Sequence, residues 1–174
     1  MVKKAWVFAF FLGSVLSLPT AAQDSIARFK GGIGVTPVSS GVGTAATATD
    51  VNRNIVRGVQ PPGQIWVIED LRAEVRSDGR IRVRGKGLIL GGGNNAGRAT
   101  GQSVFATLIC EAAAPFTERN TNLAGVPLAP NGDFRIDDML GAPLFACPSP
   151  MLLIRNAAGL AWFAVGIPSS GNDD

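Results

Sequence analysis

The chain predicts an all-β fold: an antiparallel β-sandwich or barrel, with the sandwich favoured, of about seven to nine short strands following a cleaved signal peptide. Three observations carry this expectation. Apolar and polar residues alternate with period two in the clearest stretches. Turn signals built on Gly, Pro, Asn and Asp recur about every ten residues. No internal repeat and no long helical period runs through the segment after residue 22.

Residues 1–22 have the layout of a secretory signal. Lys3 and Lys4 precede an apolar run over 5–18, Pro19 breaks it, and Thr20, Ala21 and Ala22 offer small side chains to a peptidase. The run is short beside the roughly 20 apolar residues of a membrane span. Cleavage is expected after Ala22, leaving 23–174 as one all-β domain, secreted or periplasmic, with no membrane span. No cysteine near the junction could carry a lipid.

Charge and composition narrow the chemistry. The chain has 16 Lys+Arg against 13 Asp+Glu, a net charge of +3; without Lys3 and Lys4 it is 14 against 13, a net of +1. A near-neutral chain makes no general case for nucleic acid or an anionic membrane. Histidine is absent. That removes the usual general base near neutral pH, the usual partner of a Ser or Cys nucleophile, and the commonest metal ligand. Ser-His-Asp and Cys-His catalysis are excluded within this chain. No cofactor and no metal site is expected.

Residues 24–63 are rich in Gly, Ala, Thr, Ser and Val. Residues 33–38 and 55–59 read as short edge strands, 39–49 as loosely held, and Pro61-Pro62-Gly63 as a turn. The clearest signal follows. Leu71, Ala73 and Val75 alternate with Arg72, Glu74 and Arg76, and Ile81 and Val83 alternate with Arg80, Arg82, Arg84 and Lys86. A two-residue Asp78-Gly79 loop would set Val75 opposite Arg82 and mix the faces. A three-residue Ser77-Asp78-Gly79 loop sets Val75 opposite Ile81, Ala73 opposite Val83, and Glu74 opposite Arg82, with Gly79 left-handed. The second register agrees with the pattern and predicts a Glu74–Arg82 ion pair. Trp66 and Ile68 are out of phase with Leu71, which calls for a bulge near Glu69-Asp70.

Further along, 91–97 is a Gly-rich strand connection lacking any nucleotide-loop ending. Residues 103–110 are nearly all apolar and read as a central strand with Cys110 pointing inward; 111–121 read as a surface excursion. A second hairpin is expected around Pro130-Asn131-Gly132, pairing Leu128 with Phe134 and Val126 with Ile136. A last hairpin is expected around 156–159, from 151–154 and 160–167.

Cys110 and Cys147 are the only cysteines. In an oxidising compartment such a pair predicts a disulfide. They do not form a C-x-x-C motif, and two Cys with no His cannot supply a structural zinc site.

The best local candidate for function is the basic face of Arg80, Arg82, Arg84 and Lys86, with Arg72 and Arg76 on the facing strand. It suits an acidic glycan, phosphate groups or an acidic protein partner, although a solvated face that discourages edge pairing has the same composition. Carboxylates at Glu69, Asp70, Asp133, Asp137 and Asp138 supply the material for glycoside hydrolysis, with Asp133 and Asp137 on one strand face and Asp138 on the other. Trp66, Phe105, Phe134, Trp162 and Phe163 lie in apolar strands and read as core; adjacent Trp162 and Phe163 must face opposite ways, so one is exposed or covers a second layer.

Residues 29–35, the stretch from Val56 to Ile68, and the segment from Asp78 to Leu88 resemble secreted bacterial proteins of uncharacterised function. The resemblance rests on strand and turn patterns and implies no active site. The resulting expectation is a non-catalytic binding or structural module of the cell envelope or extracellular space. The alternatives are a carboxylate-based glycan hydrolase and a subunit of a larger extracellular assembly.

Overall fold

The computed structural model describes residues 24–42, 50–141, 144 and 146–170; the expected signal at 1–22 lies outside the described residues. Among those described there are thirteen strands and no helix. They are β1 (Ser25–Gly34), β2 (Val38–Val42), β3 (Asp50–Arg53), β4 (Trp66–Val67), β5 (Asp70–Arg76), β6 (Arg80–Lys86) and β7 (Ile89–Leu90), followed by β8 (Ser103–Ile109), β9 (Arg119–Asn120), β10 (Val126–Pro127), β11 (Phe134–Met139), β12 (Met151–Asn156) and β13 (Trp162–Pro168). Eight form one antiparallel sheet in the order β10-β8-β12-β13-β1-β5-β6-β11, with β9 also pairing β8. Two-stranded ribbons, β2-β3 and β4-β7, stand beside it.

The main sheet is a nearly closed barrel rather than the favoured sandwich of two packed sheets. Its two end strands, β10 and β11, are joined by the Pro130-Asn131-Gly132 turn. The turn forms as expected: Gly132 N donates to Ala129 O at 2.8 Å, Ala129 N donates to Asp133 O at 2.9 Å, and Gly132 takes φ +84°. The two arms then part, so the expected pairing of Leu128 with Phe134 and Val126 with Ile136 does not occur. Val126 and Pro127 pair with Val104 and Ser103, while Phe134 pairs with Gly85 and Ile136 with Val83. Pro127 explains why β10 is a short edge: it has no N–H to give a second neighbour. Across the seam, Asp138 of β11 accepts a hydrogen bond from Asn122 N at 2.8 Å.

The β5–β6 hairpin has the predicted register. Val75 faces Ile81, Ala73 faces Val83, Glu74 faces Arg82, and Gly79 takes φ +87°. Its inward residues Leu71, Val75, Ile81 and Val83 are fully buried. The phase shift upstream is resolved differently from the expected bulge. The chain leaves the main sheet, and β4 pairs with β7 instead (Trp66 with Leu90, Val67 with Ile89). Close packing of this ribbon requires Gly34, because a Cβ there would overlap the Trp66 carbonyl.

The N-terminal part departs most from expectation. β1 is a ten-residue strand in mid-sheet, pairing β13 on one side and β5 on the other, not an edge at 33–38. Residues 55–59 form a tight turn closed by a Val56–Val59 bridge rather than a strand. Of the stretch expected to be loose, 43–49 lies outside the described residues, while the residues on either side pair as β2 and β3.

On the far wall, β8 is buried on both faces from Val104 to Ile109, and Cys110 is buried. Cys110 is bonded to Cys147, with the sulfurs 2.02 Å and the Cα atoms 4.7 Å apart. Arg57 clamps this corner, donating to Ile109 O (3.0 Å), Ser149 O (2.6 Å) and Ser149 Oγ (2.7 Å). The last hairpin forms, with Leu153 opposite Val165 and Ile154 opposite Ala164. Trp162 and Phe163 are both buried, which resolves their opposite orientations into two covered layers. Phe163 stacks on Trp66 at 4.0 Å, and Trp162 Nε1 donates to Asn54 O at 2.9 Å.

The segment 111–121 is more than a surface excursion. Arg119 and Asn120 extend the edge of β8 as β9, and Glu118 reaches the guanidinium of Arg155 at 2.5 Å. Glu111 organises its start. The amides of Thr117 and Cys110 each donate to Oε2 at 3.2 Å, and Arg119 meets Oε1 at 3.2 Å. The Thr117 amide foremost, with Arg119 adding to it, holds this carboxyl at about 2, below its ordinary 4.5. A carboxyl lowered on folding contributes stability that is complete above its unfolded value and lost as the pH falls through the folded one. Glu111→Gln is therefore expected to be less stable than the parent at pH 7, the gap narrowing below about pH 4.5 and closing near pH 2. Thermal melts across that range check this; a gap that stays constant to pH 2 would refute it.

Candidate anion-binding face

The outer surface of β1, β5, β6 and β11 is built by strict alternation. On β6, Arg80, Arg82, Arg84 and Lys86 point out while Ile81, Val83 and Gly85 point in. All four predicted residues are thus exposed on one face. The register then sorts the outward side chains into rows running across the strands.

One row reads Arg28, Glu74, Arg82, Asp137, each directly opposite the next. Its charges alternate, and Arg82 meets Asp137 at 3.3 Å while Arg28 meets Glu74 at 4.0 Å. Glu74 also meets Arg76 at 4.0 Å. The expected Glu74–Arg82 pair is therefore replaced: each finds its partner on another residue, because β1 and β11 bring in Arg28 and Asp137.

The adjacent row reads Lys30, Arg72, Arg84, Arg135. Every member is a cation. Arg72 meets Asp70 at 3.3 Å, and among the described residues Lys30, Arg84 and Arg135 make no ion pair. Like charges directly opposite on neighbouring strands are destabilising, and this row contains three such pairs in succession.

A groove of about 400 Å³ lies over the middle of this face, lined by Arg28, Lys30, Arg72, Glu74, Arg82 and Arg84, with Ser169 and Ser170 at its rim; Arg135 and Asp137 of β11 continue the two rows beyond its lining. Ser169 is held there by its amide, which donates to Arg28 O at 2.9 Å. Of the four residues predicted from sequence, Arg82 and Arg84 line the groove, whereas Arg80 and Lys86 lie at the two ends of β6 outside it. Asp78 accepts from the Arg80 amide at 2.9 Å, and Lys86 stands opposite Asp70. Sequence reading missed Arg28, Lys30 and Arg135. No local signal marks them, since each joins the face only through pairing between distant strands.

Of the five candidate carboxylates, Glu69 and Asp133 both lie against Gly87, Glu69 Oε2 standing 3.4 Å from where a Cβ on that glycine would be. Asp70 and Asp137 are in the ion pairs above, Asp133 accepts from Gly87 N at 3.1 Å, and Asp138 is engaged at the seam. Among the described residues no group of three or more His, Cys, Asp or Glu is placed to hold a metal ion. The five aromatics considered for sugar stacking, Trp66, Phe105, Phe134, Trp162 and Phe163, are all buried. A second groove of about 340 Å³, lined by Trp66, Phe163, Leu90, Gln64, Gln102 and Asn156 among others, carries no charged side chain.

Fold and face together define an all-β, barrel-like protein with a cationic row on its outer wall. No family model, no curated protein and no solved structure matches the chain.

Proposed function

We propose that this is a non-catalytic binding module of the cell envelope or extracellular space, holding an acidic ligand on the outer face of β1, β5, β6 and β11. The observation that carries this is the Lys30, Arg72, Arg84, Arg135 row. Natural sheets place opposite charges across strands, and the neighbouring row does so. A local rule broken at one place, beside a place where it is kept, is the mark of a functional site. The groove's volume falls in the range of ligand sites. The bonded cysteine pair is compatible with an oxidising, extracellular compartment, which suits the signal read at 1–22 and a secreted or periplasmic location.

Arg84 offers a test with two opposed readouts, because it has a like charge on each side. Arg84→Thr relieves both repulsions and places a β-branched residue in a strand. It is expected to raise the melting temperature by about 2–4 °C, from a gain of up to roughly 1 kcal/mol. The same change is expected to lower the salt concentration that elutes the protein from heparin–agarose. A variant less stable than the parent and eluting at the same salt would sink the proposal.

A further inference from the structure

The two rows also constrain which acid is bound, an inference that rests on the binding role just proposed. We infer that the ligand is a linear acidic polysaccharide with one carboxylate per sugar, lying across the β-strands with its carboxylates on Lys30, Arg72, Arg84 and Arg135 and its hydroxyls toward Glu74 and Asp137.

Direction comes first. One uniformly positive line runs perpendicular to the strands, since neighbours along it are cross-strand partners; at Arg84 it crosses a second, the stripe Arg80, Arg82, Arg84, Lys86 along β6. Along β5, Glu74 stands between Arg72 and Arg76, and on β11 Asp137 follows the single cation Arg135. The groove takes in three cations of the crosswise line, Lys30, Arg72 and Arg84, against two of the β6 stripe, Arg82 and Arg84, and so favours a rod of negative charge lying across the strands.

Spacing comes next. Adjacent strands are about 4.8 Å apart, so four cations repeat at that interval over roughly 14 Å. One strand interval is comparable to the length of one pyranose ring in a linear glycan. A uronate chain carries one carboxylate for each such interval, and the long side chains of Lys30, Arg72, Arg84 and Arg135 can reach to either side of it. The phosphates of inorganic polyphosphate are more closely set than this.

The second row selects against other polyanions. Glu74 and Asp137 alternate with Arg28 and Arg82 immediately beside the cationic line. These carboxylates repel a ligand whose charge is spread over a broad surface, as on duplex DNA, and accept hydrogen bonds from hydroxyl groups. Ser169 and Ser170 add hydroxyl partners at the rim. Single-stranded nucleic acid is held by bases stacking on exposed rings. Among the described residues no aromatic ring is exposed on this face, and Phe29, the aromatic beneath the groove, is buried. A glycan with charge along one line and hydroxyls beside it fits both rows.

The test is calorimetric titration of the described chain with oligogalacturonates of defined length, with methyl-esterified oligomers, heparin, inorganic polyphosphate and single-stranded DNA in parallel. Affinity is expected to rise with length to about four sugars, one for each cation in the row, and then to level off. Esterification is expected to abolish binding. Lys30→Gln and Arg135→Gln are each expected to weaken it about tenfold, as befits loss of a charge-assisted hydrogen bond, while Arg80→Gln and Lys86→Gln leave it within about twofold. Equal losses from Arg80→Gln and Lys86→Gln would overturn the crosswise orientation. DNA binding as tight as the uronate would overturn the ligand class. Heparin or polyphosphate bound through Arg84 with no uronate binding would overturn this inference and leave the binding role standing; silence from every acid would overturn both.

Discussion

Replacing Cys110 and Cys147 together by Ala is expected to lower the unfolding free energy by about 4 kcal/mol. The bond spans 37 positions of chain, and freeing a loop of that length restores roughly this much conformational entropy to the unfolded state. Alanine is the better replacement for Cys110, since serine would bury a hydroxyl beside Ile109. The loss is large against the 5–15 kcal/mol typical of a domain. The segment before β12 is held to β8 through this bond, the Ser149–Cys110 backbone contact and the Arg57 clamp. Urea denaturation should show the midpoint of the double variant well below that of the parent, and reductant should move the parent to the same place. An unchanged midpoint in both experiments would mean the cross-link constrains little.

The second large effect is expected at Arg155, whose side chain is only 6% exposed. It meets Glu118 at 2.5 Å, donates to Leu160 O at 2.8 Å, reaches Thr107 Oγ1 at 3.4 Å, and lies 5.3 Å from the Phe105 ring centre. Thr107 in turn donates to Asn120 at 2.6 Å, so one guanidinium ties β8, β9, β12 and the turn after β12 together. Arg155→Met keeps most of the volume and removes every polar contact. Breaking a buried pair from one side costs about 3–5 kcal/mol. Glu118 is 40% exposed and can turn to water, which places the expected loss near 3 kcal/mol, the lower end of that range. Adding Glu118→Gln should cost much less in the Met background than in the parent, giving a coupling energy a double-mutant cycle can measure. Additive losses would show the two side chains acting independently.

Arg155 illustrates what a sequence conceals. It is one cation in an apolar run, and nothing nearby in the chain announces Glu118, which arrives from 37 positions away. The same limit applies to the site. Alternation over 71–86 made the β5–β6 hairpin and its register legible, because a strand's period is local and a shift of one residue would bury arginines. The last hairpin, the buried strand β8 and the cysteine pair were legible for similar reasons. β1 was not: Ala27 and Phe29 alone mark its inner face before Gly31 and Gly32 interrupt the pattern. The Pro130-Asn131-Gly132 turn was read correctly and its arms wrongly, because turn chemistry fixes a reversal and leaves open which neighbours the arms choose. Reading along β6 therefore gave a stripe of four cations parallel to the strand. Pairing with β1, β5 and β11 adds a second positive line perpendicular to that stripe, and only Arg84 belongs to both.

The central position of β1 also governs how the molecule comes into being. Phe29 lies opposite Ala73 on one side and Pro168 on the other. In synthesis β1 emerges first, and its β13 flank waits for residues more than a hundred positions further along the chain. Sheets joined by such distant partners fold in milliseconds to seconds rather than microseconds. A β1–β5–β6 wall formed ahead of β13 would carry a bare β1 edge, and the cations of its outer face would oppose the pairing of two such unfinished copies.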